Sequence, residues 1–252
     1  MLGYDVVADA RRVRERIGYV FGGERGLYER LSALDNMRYF AELYGVPPRE
    51  QKQRIEFLFE LVGLKGRERE RVEGYSRGMR QRLHIARGLV HDPPVVFLDE
   101  PTIGVDPVGA RDLRATISSL VAAGKTVLLT THYMFEADAL CDRIAVISKG
   151  RIVADGTPDA LKALVAEGTV VEIETFGAPQ DAIDRVAGLP GVTSLAVEER
   201  EQAQVLVVQS RDGVLPTQTL LAALGDVRVG RVSAREPTLE DAYVTLVAET
   251  DA

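Results

Sequence analysis

The sequence predicts an α/β protein: a mostly parallel sheet between layers of helix, followed by a small α+β sandwich. Three observations predict it. Short apolar strands alternate with helical patterns between about residues 79 and 154, the arrangement of a parallel sheet covered on both faces. Ahead of them, two amphipathic helices between Leu34 and Val62 form a helical insert. From Thr169 the order becomes strand, helix, strand, strand, helix, strand, a self-contained α+β pattern.

The elements follow in chain order. ARRVRERIGYVF reads as a short charged helix and then a strand, Ile17 to Phe21. Leu34 to Gly45 is helical and stops on a glycine cap. Pro47 and Pro48 open the next helix, which sets Ile55, Leu58, Phe59 and Val62 on one face. Lys65 to Tyr75 is so densely charged that it reads as a solvated connection. Then come a helix from about Met79 to Val90, a strand from Val95 to Asp99, a helix from about Val108 to Ala122 and a strand from Thr126 to Thr131. A short helix near Met134 to Leu140 precedes two strands, Arg143 to Ser148 and Arg151 to Ala154, joined at Lys149-Gly150. Thr157 to Val165 is a helix leading away.

The second part has strands at 169–175, 192–198, 203–208 and 227–233, with helices at 180–187 and 215–224. That order is the one found in ferredoxin-like sandwiches. A last helix, Thr238 to Val247, starts after Pro237. The domain boundary is expected near residue 166, giving domains 1–166 and 167–252, with a helical subdomain at about 27–92.

Composition narrows the function classes. The 252 residues are 46% hydrophobic and 27% charged, with a net charge of -7 and no long basic run, which argues against nucleic acid as a partner. The lone cysteine, Cys141, excludes a disulfide framework within the chain and reads as a small buried hydrophobe. No apolar run reaches the ~18 residues of a membrane helix, and the N-terminus has no apolar signal core. Work at a membrane would go through a partner.

The chemistry concentrates in VVFLDEPTIGVDP, residues 95–107. An apolar strand delivers two adjacent carboxylates, Asp99 and Glu100, to the end of a parallel sheet where such folds bind ligands. Alone, such a run is more often a core strand with an acidic turn. YSRGMRQR, upstream, places Ser76 and Gly78 at a helix start, where a hydroxyl, free N–H groups and the helix dipole can meet an anion. His132 follows the threonine-rich end of the next strand. His84 and His91 fit no metal spacing and read as structural.

Together these segments resemble the ATP-binding cassette (ABC) ATPases. YSRGMRQR is similar to their signature motif, with Ser76 and Gly78 matching and Tyr75, Arg77 and Met79 standing where Leu, Gly and Gln are typical. VVFLDEP resembles the Walker B strand and catalytic glutamate, TIGVD the D-loop with Asp106, and TVLLTTHYMFEADALCDRIAVISKGRIVADGTP the switch-histidine region. The resemblance covers about residues 3 to 165. It implies a P-loop NTPase core that uses ATP and Mg²⁺, with Asp99 holding the metal through water, Glu100 polarising the attacking water and His132 meeting the γ-phosphate. Ser76 and Gly78 would contact ATP held by a second ATPase subunit in a head-to-tail dimer, and Asp106 belongs to the same nucleotide-binding set. The tail ending EPTLEDAYVTL further resembles ATPase subunits of bacterial drug exporters, which pair with a separate membrane permease. That resemblance implies a cytoplasmic protein, peripheral on the inner face of the membrane.

One expected part is missing from the sequence as it stands. The P-loop pattern G-x-x-x-x-G-K-[ST] does not occur. Gly124-Lys125-Thr126 is a decoy, because Ser119 stands where the first glycine belongs and the run closes a helix rather than opening one. Gly22 and Gly23 replace the glutamine that usually follows the strand resembled by IGYVF. The expectation is therefore a truncated or mis-started exporter ATPase that alone binds ATP negligibly. The alternative is a non-hydrolytic partner that supplies its signature motif in trans to a complete ATPase. A soluble ABC ATPase of DNA repair or translation fits less well, since neither a long coiled coil nor a second cassette is visible.

Overall fold

The computed structural model describes residues 1–21, 26–164, 169–200, 203–210 and 217–251, the last four by backbone alone. Gly22 and Gly23, Val165 and the first two residues of the helix expected at 215–224 lie outside the described residues. The chain divides into two compact units, Met1–Glu136 and Ala137–Ala252.

The first unit contains α1 (Ala10–Arg14), β1 (Ile17–Val20), α2 (Ala33–Leu43), α3 (Pro48–Leu61), α4 (Arg77–Gly88), β2 (Val95–Asp99), α5 (Pro107–Ala122) and β3 (Thr126–Thr130). α6 (Met134–Leu140) begins there. The strands form a parallel sheet in the order β1-β2-β3, with Val20 opposite Leu98 and Leu98 opposite Leu129. α4 packs on β1 and α5 on β3, and Val20, Val96 and Leu98 are buried. β1 and α4 approach closely because both carry glycine at the crossing. A Cβ on Gly18 would run into the Gly88 carbonyl, and one on Gly88 would sit 2.8 Å from Val20 Cγ2.

The sheet departs from expectation on its other face. Tyr19, Phe97 and Leu128 lie in register across the three strands, and Tyr19 is 39% and Leu128 51% exposed. Alternating strands and helices predicted cover on both faces. Here the buried positions of β1 and β2 alternate with a row that stays open.

α2, α3 and α4 pack together around Met37, Leu58, Phe59 and Leu83. The predicted face of α3 is confirmed, since Ile55, Leu58, Phe59 and Val62 are all buried. Asn36 fastens the approach to α2: its side chain accepts from the Tyr28 N–H and donates to the carbonyls of Tyr28 and Ser32. Residues 65–75 are more than a solvated connection. Their charged ends face water, but the N–H groups of Ala33 and Leu34 donate to the carbonyls of Glu70 and Glu68. Val72 and Tyr75 are buried. Charge density alone hid these apolar anchors.

The second unit opens with the antiparallel hairpin β4 (Ile144–Ser148) and β5 (Arg151–Gly156). Its turn, Lys149-Gly150, has positive φ at both residues (49° and 75°), the geometry that suits strand twist in two-residue turns. α7 (Pro158–Ala163) follows, capped by the Thr157 hydroxyl. The sandwich comprises β6 (Val170–Thr175), α8 (Gln180–Ala187), β7 (Val192–Arg200), β8 (Ala203–Ser210), α9 (Thr217–Leu224) and β9 (Val229–Arg235). Its sheet is antiparallel in the order β7-β8-β6-β9, the ferredoxin-like order expected from the sequence. Val171, Ile173, Ala182, Val186, Leu206 and Leu220 form its core.

The last helix, α10 (Leu239–Asp251), packs on α7 and on the β4–β5 hairpin. This is why the packing division falls after Glu136 and differs from the boundary expected near residue 166. A returning helix ties the hairpin to the C-terminal part, a long-range contact that pattern along the chain does not reveal. Arg235 anchors the start of α10, with its guanidinium 2.7 Å from Glu172 and 2.6 Å from Asp241.

Candidate active site

β2 and β3 end side by side, with Asp99 paired to Thr130, so the residues just beyond each strand meet at one sheet edge. The Thr130 hydroxyl donates to Asp99 Oδ1 at 2.5 Å. The Glu100 N–H donates to the Thr130 carbonyl at 3.0 Å. Glu100 itself has φ of 47°, a left-handed conformation that costs a non-glycine residue about 1–3 kcal/mol and is tolerated where surroundings fix it. That turn brings its carboxylate 2.7 Å from His132 Nδ1. An ionised carboxylate only accepts, so Nδ1–H donates and Nε2 is left for a bound group. His132, distant in sequence, thus joins the adjacent Asp99 and Glu100 in one constellation.

A second constellation lies at the start of α4. Ser76 is its N-cap, the hydroxyl accepting from the Met79 N–H at 3.2 Å. Gly78 is buried, and a Cβ there would meet Val105 at 3.2 Å and the Asp106 carboxylate at 3.9 Å. Asp106 in turn caps α5, with Oδ1 accepting from Val108 and Gly109. Ser76, Gly78 and Asp106 are therefore neighbours, with one oxygen of Asp106 committed to holding its own helix. Tyr75, an atypical residue for the resembled motif, is buried and donates to the Arg67 carbonyl at 2.8 Å. Burial pushes its hydroxyl up to about 12, so it stays neutral.

The other residues singled out in the sequence lie as follows, Cys141 being less buried than expected. His91 stacks on Tyr44 at 4.3 Å and donates from Nε2 to the Ile17 carbonyl; burial lowers its pKa below the ordinary imidazole value. His84 is buried within α4. Cys141 is half-buried, and desolvation raises its thiol pKa. The decoy Lys125 is occupied, donating to Asp92 and to the Pro93 carbonyl, both at 2.8 Å, while Gly124 closes α5 with φ of 80°. Among the described residues no group of three or more His, Cys, Asp or Glu side chains gathers as a metal site. Asp99 stands there as a single carboxylate, with one oxygen engaged by Thr130. Among the described residues no helix is long and apolar enough to cross a membrane.

The sequence reading missed Thr130, Thr131 and Thr102, which orient these carboxylates and loops. The only signal was a pair of hydroxyls directly before His132.

The ABC transporter family model matches residues 2–103. A daunorubicin-resistance ATP-binding protein, DrrA3 of Streptomyces coeruleorubidus, is 36% identical over 98% of this chain and 77% of its own length. The chain belongs to the ABC transporter ATP-binding proteins. Another such protein, NatA of Bacillus subtilis, is 42% identical over 63% of this chain, which covers 65% of NatA. Among solved structures, cbiO1 of Clostridium perfringens, described as part of the ABC transporter complex cbiONQ, has a TM-score of 0.57 and 28% identity over 61% of each chain.

Proposed function

We propose that this chain is an ATPase subunit of a drug-exporter-type ABC system, working through a separate membrane permease at the cytoplasmic face. The observation that carries the reading is the 2.7 Å pairing of Glu100 with His132 beside Asp99 at the end of β2 and β3. In this reading Glu100 is the general base for the attacking water, and His132 steers it and meets the γ-phosphate. Asp99 would hold Mg²⁺ through water, and the metal would offset charge on the phosphates. Ser76 and Gly78, at the N-terminal end of α4, would close over ATP bound to the second subunit of a head-to-tail dimer. Asp106 sets the spacing between that helix start and α5. The domain division of 1–166 and 167–252 is retained as a functional one, with the sandwich as an accessory domain.

A second reading rests on the capped start of α4, where Ser76 and the buried Gly78 need no phosphate loop of this chain to meet an anion. In that reading the chain lends Ser76 and Gly78 to a complete ATPase and does not hydrolyse ATP itself.

One experiment separates the readings. The chain is co-expressed with a P-loop-bearing ABC subunit and a permease, and ATP turnover is measured. Glu100→Gln is expected to cut turnover by about a hundredfold if Glu100 is the base. If only Ser76→Arg abolishes turnover and Glu100→Gln leaves it intact, the chain is the non-hydrolytic partner. If neither change matters, both readings fail.

A further inference from the structure

Glu136, in the first turn of α6, is 1% exposed, and the reading above gives it no task. Its Oε2 accepts from the Thr102 hydroxyl at 2.9 Å and from the Thr131 hydroxyl at 3.2 Å. Its Oε1 lies 3.3 Å from the Arg114 guanidinium of α5. Thr102 is two residues beyond Glu100, and Thr131 immediately precedes His132. A single buried carboxylate oxygen therefore fastens both loops that carry the Glu100–His132 pair.

Burying a carboxylate is unfavourable, and an apolar residue of similar volume commonly gives equal or greater stability. What an apolar residue cannot give is direction. The carboxylate is satisfied only when both hydroxyls reach it at once, so each loop's position constrains the other's. Thr131 extends the constraint, since its hydroxyl also accepts from the Tyr133 N–H at 3.0 Å, on the far side of His132. Arg114 of α5 aims the other oxygen of the carboxylate. We infer that Glu136 is a positioning residue: it locks the loop after β2 to the loop after β3 and so fixes the distance between Glu100 and His132. The inference rests on reading that pair as catalytic.

The test uses the full chain at low micromolar concentration without nucleotide, reading hydrogen exchange by mass spectrometry together with thermal unfolding. Thr102→Val keeps the shape of the side chain and removes one hydroxyl. It is expected to speed exchange of the amides at 131–133 about tenfold, although Thr102 belongs to the other loop. Thr102→Ser, which keeps the hydroxyl, is expected to restore protection. Should Thr102→Val fail to fold, Glu136→Gln is measured instead. It keeps the volume and an acceptor oxygen but sets an amide against Arg114, and faster exchange in both loops is again expected. A lower Tm with unchanged exchange at 131–133, or no rescue by serine, would overturn the inference and leave Glu136 a buried filler. Because no ATP is present, the result is independent of whether Glu100 proves to be the catalytic base in the turnover assay.

Discussion

At the scale of single residues, burial rather than motif decides which titrating groups matter for stability. His91 is the clearest case. Desolvation holds its folded pKa below the ordinary 6.5, partly opposed by the bond to Ile17. As pH falls through 6.5 the unfolded chain takes up the proton first, so stability is fully present above that value. It declines as pH drops toward the lowered folded value. His91→Gln should flatten that decline, and urea melts at pH 7.5, 6.5 and 5.5 would check it; an unchanged slope would show that His91 does not carry the effect. Tyr75 makes a related point. The residue that looked like a departure from its motif is buried with its hydroxyl satisfied by Arg67. The site needed a large apolar body, and tyrosine supplies one with its polar end bonded.

At the scale of elements, the meeting of β1 and α4 is governed by two glycines. Gly18→Ala would place a methyl group against the Gly88 carbonyl, on backbone that moves only if α4 moves. Overpacking of this kind costs about 1–3 kcal/mol, and a shift of that size in the denaturation midpoint with an unchanged m-value is the expected result. α4 also carries Ser76 and Gly78, so the displacement would reach the candidate signature site. Element type was largely legible in the sequence: Gln180–Ala187 and Met134–Leu140 coincide with the helices expected there. Helix starts were less so. α4 begins at Arg77 rather than near Met79, because the Ser76 cap fixes the first turn while hydrophobic periodicity sets in later. The threonines that orient Asp99 and the loops were not legible, since a hydroxyl has no periodicity and gains its role only from a partner on another strand or helix.

At the scale of the whole molecule, the open row of Tyr19, Phe97 and Leu128 stands out, together with Phe21, which is 55% exposed. Parallel strands are ordinarily covered on both faces, and apolar strands left open promote association between chains. The chain on its own is expected to self-associate at tens of micromolar, and Leu128→Lys should lower the light scattering without lowering the unfolding midpoint by more than about 1 kcal/mol. A monodisperse wild-type chain would refute this.

The sequence by itself determined the motifs and their order: paired carboxylates after an apolar strand, a capped helix start upstream and a histidine downstream. Local spacing and propensity suffice for that, because each motif lies within one strand-to-loop or loop-to-helix junction. Only the tertiary structure decided which motifs meet. It put Glu100 against His132, set Gly78 beside Asp106, bound Lys125 to Asp92 and drew α10 back onto the β4–β5 hairpin. Those pairings depend on the parallel register of β2 and β3 and on helices returning across long stretches of chain. Contacts between residues so far apart follow from packing, which no local pattern encodes.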